Sequence, residues 1–151
     1  MRGIIFSHKG ISTAQQGVQS LHVATEMQNM WPAGSPQREM YDEWVREHKT
    51  VILLNGGFSK TLKQLKKSIE NIGDEYKLPY AAFYEDEDTF EGIMTAVGII
   101  VPSYGRTPDI SVRDEVDNSN CDTSYELAGM DSHYSLCERL TLLTHGFKLI
   151  S

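Results

Sequence analysis

The sequence predicts an α/β domain of three layers, α/β/α, built around a four-stranded mixed sheet. Three observations carry that expectation. Apolar runs at residues 3–7, 51–54, 79–84 and 94–101 have the length and composition of buried strands. Leu62, Leu65, Ile69 and Ile72 recur at intervals of three, four and three, the spacing of a helix with one apolar face. The resulting order, β-α-α-β-α-β-β-α, requires crossover connections, and these lie on the faces of a sheet.

Taken in order, Ile4-Ile5-Phe6 forms the first strand and leads into the polar run Ser7-His8-Lys9-Gly10. Ser12 then caps a helix, with Gln15 at the capping-box position three residues on, and the helix runs to about Met30, ahead of Trp31-Pro32. Val18, Leu21 and Ala24 are expected to face the core. Residues 32–36 make an irregular connection to a second short helix, about 39–48, that packs Met40, Trp44 and Val45 inward.

Val51-Ile52-Leu53-Leu54 reads as the clearest buried strand, and Asn55-Gly56-Gly57 supplies residues that tolerate positive φ at a strand-to-helix turn. The third helix follows and is expected to end at Gly73. Two strands, 79–84 and 94–101, flank the acidic turn Glu85-Asp86-Glu87-Asp88. Residues 103–120 show no period and read as a loop insertion, before a last helix, about 123–144, that packs Leu136, Leu140 and Leu143. No internal repeat or linker interrupts residues 1–151, so one domain is expected.

A chain of 151 residues can bury roughly 68–70% of its unfolded surface without disulfides or metals. No stretch approaches the ~20 apolar residues of a membrane span, and the N-terminus lacks a signal-peptide core. A cytoplasmic protein with no membrane partner is the expectation. Cys121 and Cys137 have no redox or ligand spacing. The five histidines show no i, i+4 pair and no Cys partner, so neither a metal nor another cofactor is expected. Gly56-Gly57-Phe58-Ser59-Lys60-Thr61 lacks the spacing of a nucleotide-binding phosphate loop.

The net charge of -7 disfavours broad binding to a phosphate backbone, which needs clustered cations. Any nucleic-acid contact must be local. Lys60, Lys63, Lys66 and Lys67 form the one dense basic cluster, which fits a solvated helix face or a local hold on nucleic acid. On the first helix, Gln15, Gln19, His22 and Glu26 fall within about 60° of one another and make one polar stripe. Periodicity alone reads that stripe as a solvated face.

The same segment, Gln15-Gln16-Gly17-Val18-Gln19-Ser20-Leu21-His22-Val23 after Ile4-Ile5-Phe6, resembles the first motif of the type II peptidyl-tRNA hydrolases, K-I-A-A-Q-C-S-H-A after V-V-R. Gly92-Ile93-Met94-Thr95-Ala96-Val97-Gly98-Ile99 is similar to that family's G-x-x-T-A-V-A-I strand. Leu143-Thr144-His145-Gly146-Phe147-Lys148-Leu149-Ile150 is similar to its V-T-G-H-L-K-L-L end. The three segments stand in the family's order and span nearly the whole chain.

The resemblance implies a peptidyl- or aminoacyl-tRNA hydrolase acting in translation, with tRNA as partner and a possible homodimer. By position, Gln19 and His22 match the residues that line the ester site. Glu85 and Thr89 match the aspartate and threonine that position the attacking water, with Asp86 as a second candidate for the carboxylate. Gln15 stands where the family has a lysine, so a neutral amide replaces the cation facing the developing oxyanion. Lys9 is a candidate substitute, and Lys60, Lys63 and Lys67 are candidates for holding the acceptor stem. The lost cation leaves open a second class: a non-catalytic module on the same fold that binds tRNA, a nucleotide-like ligand or a protein. A third, an interaction protein using the acidic 103–122 segment, has composition alone behind it.

Overall fold

The computed structural model describes residues 1–86, 92–102 and 136–147. It is a three-layer α/β/α fold with a four-stranded mixed sheet. In chain order the elements are β1 (Arg2–Ser7), α1 (Thr13–Met30), α2 (Pro36–Glu43), β2 (Val51–Asn55), α3 (Ser59–Tyr76), β3 (Tyr80–Tyr84), β4 (Met94–Val101) and α4 (Leu136–Thr144). The 103–120 insertion and the expected start of the last helix lie outside the described residues.

The sheet order is β2-β1-β4-β3. β1 pairs parallel with β2 and antiparallel with β4, and β4 pairs antiparallel with β3. It follows that β1, β2 and β3 run in one direction and end at one rim, where β4 begins.

Side chains alternate along β1, and the two faces have separate cores. Ile5 joins Val23 and Met27 of α1, Tyr41 and Trp44, and Ala96 and Ile100 of β4. Ile4 and Phe6 join Leu62, Leu65, Ile69 and Ile72 of α3, with Leu136 and Leu143 of α4. The four apolar positions that predicted α3 are all fully buried. Arg139, itself buried, donates through Nη1 to Glu75 and sits 5.7 Å over the Tyr76 ring, fastening α4 to the end of α3.

Four expectations are corrected. The core face of α1 is Gln16, Gln19, Val23 and Met27, while Val18 and Leu21 are 50% and 69% exposed. The helix lies against the sheet where Gly98 leaves room, since a Cβ there would stand 3.1 Å from Val23 Cγ1 and 2.9 Å from Ile5 Cγ1. That contact fixes the rotation of α1 and turns Val18 and Leu21 outward.

The second helix begins earlier, at Pro36 behind the cap Ser35, and widens to π geometry over Trp44–His48, where Lys49 N–H donates to Trp44 O. Gln37, Tyr41 and Trp44 are its buried residues and Val45 is exposed. β2 is an edge strand instead of a buried one, pairing among the described residues with β1 alone, and Val51 is 43% exposed.

Gly73 does not end α3, which continues to Tyr76 and closes at Lys77 in the left-handed region, φ 55°. Gly73 is needed for packing, because a Cβ there would stand 2.0 Å from Tyr80 Cδ1. Burial together with the hydrogen bond to Asp74 pushes the Tyr80 phenol up to about 12. Gly73→Ala is therefore expected to lower the unfolding free energy by about 1–3 kcal/mol, read by urea denaturation. An unchanged midpoint would mean that Tyr80 does not occupy that space.

Candidate functional site

The rim where β1, β2 and β3 end collects polar side chains that a core would exclude. Among the described residues, seven polar or charged side chains are buried, and four of them, Ser7, Gln16, Gln19 and Thr95, lie here. A buried polar group is costly unless hydrogen-bonded, so such a concentration needs a local reason. Ligands of open α/β sheets bind outside the carboxyl ends of the strands, and this rim is that position.

Its centre is Glu85, immediately after β3. Glu85 Oε1 accepts from Gln19 Nε2 at 2.5 Å and from Thr95 Oγ1 at 3.2 Å. The Glu85 N–H donates to Ile93 O at 3.0 Å, which holds the start of the acidic turn against the start of β4. Gln19 is 8% exposed, and its Oε1 is buried with no hydrogen-bond partner in the described structure.

β1 supplies the floor of the rim. Ser7 Oγ donates to Thr95 O at 3.4 Å and His8 N–H donates to the same oxygen at 2.8 Å. Gln16 Nε2 donates to His8 O at 3.0 Å, so α1 is tied to the strand that precedes it. Gly56 N–H donates to Ser7 O and Lys9 N–H to Gly57 O, joining the β2 end to the β1 end.

Of the residues expected at a site, Gln19 and Glu85 are brought into contact. His22 is exposed, three residues further along α1, and stacks on Phe83 of β3 with ring centroids 4.3 Å apart. His22 and Glu85 thus lie on the same side of the sheet. Asp86 is exposed beside the carboxylate that carries these bonds. Thr89 is outside the described residues.

Gln15 is exposed and forms the expected capping box. Its Oε1 accepts from Ser12 N–H at 3.1 Å and from Ser12 Oγ at 3.0 Å, while Ser12 Oγ accepts from Gln15 N–H. Its carbonyl oxygen is therefore committed to the helix start. Lys9 is exposed on the rim, with Nζ 6.0 Å from the Phe58 ring centroid.

Lys60 lies in the first turn of α3, and Lys63 and Lys67 follow on its exposed side, across the sheet from α1. Lys66 is paired with Glu70, which leaves it less available to a ligand. Thr95, within the 92–99 segment, is a rim residue to which the resemblance assigns no role. Its signal is that it is the one side chain with a hydrogen-bonding group in the run Met94–Val101.

Among the described residues, no group of three His, Cys, Asp or Glu side chains could hold a metal ion, and no helix is long and apolar enough to cross a membrane. Comparison of the chain with family profiles and with curated proteins gives no match.

His8 shows how the rim responds to acid. Nδ1 accepts the Gly10 N–H at 2.9 Å, which puts the proton of the neutral ring on Nε2, facing Ser59 Oγ at 3.4 Å. Burial pushes the His8 pKa below its ordinary 6.5. The folded value lies under the unfolded one, so the unfolded chain binds more protons. The stabilisation is complete above pH 6.5 and is lost as pH falls through the folded value. In urea unfolding, wild type should lose stability more steeply below pH 6.5 than His8→Asn, whose amide oxygen can still accept from Gly10. Parallel curves would show that His8 titrates as it does in the unfolded chain.

Proposed function

We propose that this chain is a divergent hydrolase of the type II peptidyl-tRNA hydrolase kind, acting in the cytoplasm on the ester that joins an acyl group to the 3′ end of tRNA. The observation that carries the reading is the contact of Gln19 with Glu85, two residues 66 positions apart that the sequence resemblance assigns to one site. The shared order of elements and the three motif-like segments support it.

Hydrolysis adds a water oxygen to the ester carbonyl carbon, passes a proton to a base, and breaks the carbonyl carbon's bond to the ribose oxygen, which takes the proton back. Glu85 is the base in this scheme. Gln19 and Thr95 both donate to Oε1, so the carboxylate is held in one orientation and Oε2 is the oxygen that receives the water proton. Thr89 is the second group that positions the water, and Gln19 and His22 contact the substrate.

The oxyanion is met by the Gln15 amide N–H or by Lys9, each a weaker or less fixed partner than a lysine at position 15. Lys60, Lys63 and Lys67 supply a local charge for the acceptor stem despite the acidic total.

One observation favours a second reading. Gln15 replaces the family lysine and its carbonyl oxygen is engaged by Ser12. A binding module on the same fold, holding tRNA, a nucleotide-like ligand or a protein partner, needs no such cation.

Release of the acyl group from N-blocked aminoacyl-tRNA separates the two. The hydrolase reading expects measurable turnover by wild type, a loss of about 10²–10⁴ in kcat for Glu85→Gln, and a gain for Gln15→Lys of up to about 10². No release above the uncatalysed rate by wild type or by Gln15→Lys would contradict it and favour the binding module.

A further inference from the structure

His22 and Phe83 stack with their planes 12° from parallel and their centroids 4.3 Å apart. Phe83 is partly buried and His22 is exposed, so the phenyl ring backs one side of an imidazole that solvent can reach. Stacked aromatic surfaces of this kind receive unpaired nucleobases, whose flat faces pack on them with little regard to sequence. Three residues back on α1, about 4.5 Å along the helix axis, stands Gln19.

Its amide is oriented by Glu85. Exchanging nitrogen and oxygen would set two acceptors against each other, so Nε2 faces the carboxylate and Oε1 remains a fixed acceptor. That oxygen has no partner in the described structure and is covered by protein, so a hydroxyl reaches it only by displacing what covers it. A buried acceptor left unpaired is unfavourable, and a hydroxyl donor on a ligand would relieve it.

We propose that the rim reads the last nucleoside of an RNA strand, with the base stacked on His22 over Phe83 and the ribose 2′-hydroxyl donating to Gln19 Oε1. The proposal rests on the hydrolase reading for the choice of tRNA as that RNA. It adds a division of labour: Glu85 serves the ester, while Gln19 and the ring pair hold the nucleoside that bears it. The 2′-hydroxyl contact would make the site choose RNA ends over DNA ends. Stacking alone would leave it tolerant of which base is last.

The test is titration of the full chain with the trinucleotide CCA, followed by calorimetry and by the ring-proton resonances of His22. Two companion probes carry an abasic last residue or a 2′-deoxy last residue. Removing the base should weaken binding about 5- to 150-fold, and removing the hydroxyl about fivefold or more. His22→Ala should abolish the difference between CCA and its abasic form, and His22→Phe should restore it, which guards against a folding defect in the alanine variant.

Equal affinity for CCA and the abasic probe overturns the stacking half. Equal affinity for the ribose and deoxyribose ends overturns the hydroxyl half, and no binding of CCA at millimolar concentration overturns both. The hydrolase reading is judged separately by turnover. Base-dependent binding without acyl release would leave this proposal standing and remove the hydrolysis, whereas turnover indifferent to the last base would do the reverse.

Discussion

The hydrogen bond from Gln19 Nε2 to Glu85 Oε1 joins the first helix to the end of the third strand, and the arrangement of the rim depends on it. An amide in a core-facing position must find a partner or lose its hydration for nothing. The carboxylate supplies that partner, and a hydrogen bond to a charged group is worth about 1.5–3 kcal/mol where a neutral one is worth about 1. Thr95 adds a second donor to the same oxygen, so β3, β4 and α1 meet at one carboxylate.

The direction of the strands makes this meeting possible. β1 runs parallel to β2, and β3, antiparallel to β4, runs the same way, so three strand ends and the start of the fourth share one rim. α1 and α3 both begin there, on opposite faces of the sheet. The polar side chains at the rim come from the strand ends, Ser7, Thr95 and Glu85, and from the facing side of α1, Gln16 and Gln19. Tight packing elsewhere holds the geometry: Gly98 admits α1 to the sheet and Gly73 admits the Tyr80 ring to α3.

Much of this was legible in the residues. Leu62, Leu65, Ile69 and Ile72 marked α3 because a long helix on a sheet keeps one apolar stripe. Ser12 and Gln15 marked the start of α1 because both halves of the capping box are local in sequence. The face of α1 was not legible. Gln16 and Gln19 occupy core-facing positions while Val18 and Leu21 face solvent, so hydrophobicity points the wrong way and only the tertiary contact at Gly98 decides the rotation.

β2 misled for a related reason: an apolar run does not say whether a strand has one neighbour or two. The end of α3 misled because Gly73 serves packing rather than termination. Glu85 could be proposed by position, whereas Thr95 shows only a weak signal, the one hydrogen-bonding side chain in its strand, and its carboxylate partner is visible only in the fold. The exposed valine and leucine of α1 also show why the polar stripe read as a solvated face: its one buried member, Gln19, sits at the border between the stripe and the true core face.

The most direct test of this account is a double-mutant cycle on folding stability, using Gln19→Ala, Glu85→Ala and the double variant in urea unfolding. If the amide and the carboxylate hold the rim together, the two losses are non-additive, with a coupling of about 1.5 kcal/mol or more. Additivity within about 0.5 kcal/mol would mean that the two side chains do not share an interaction, and would contradict it.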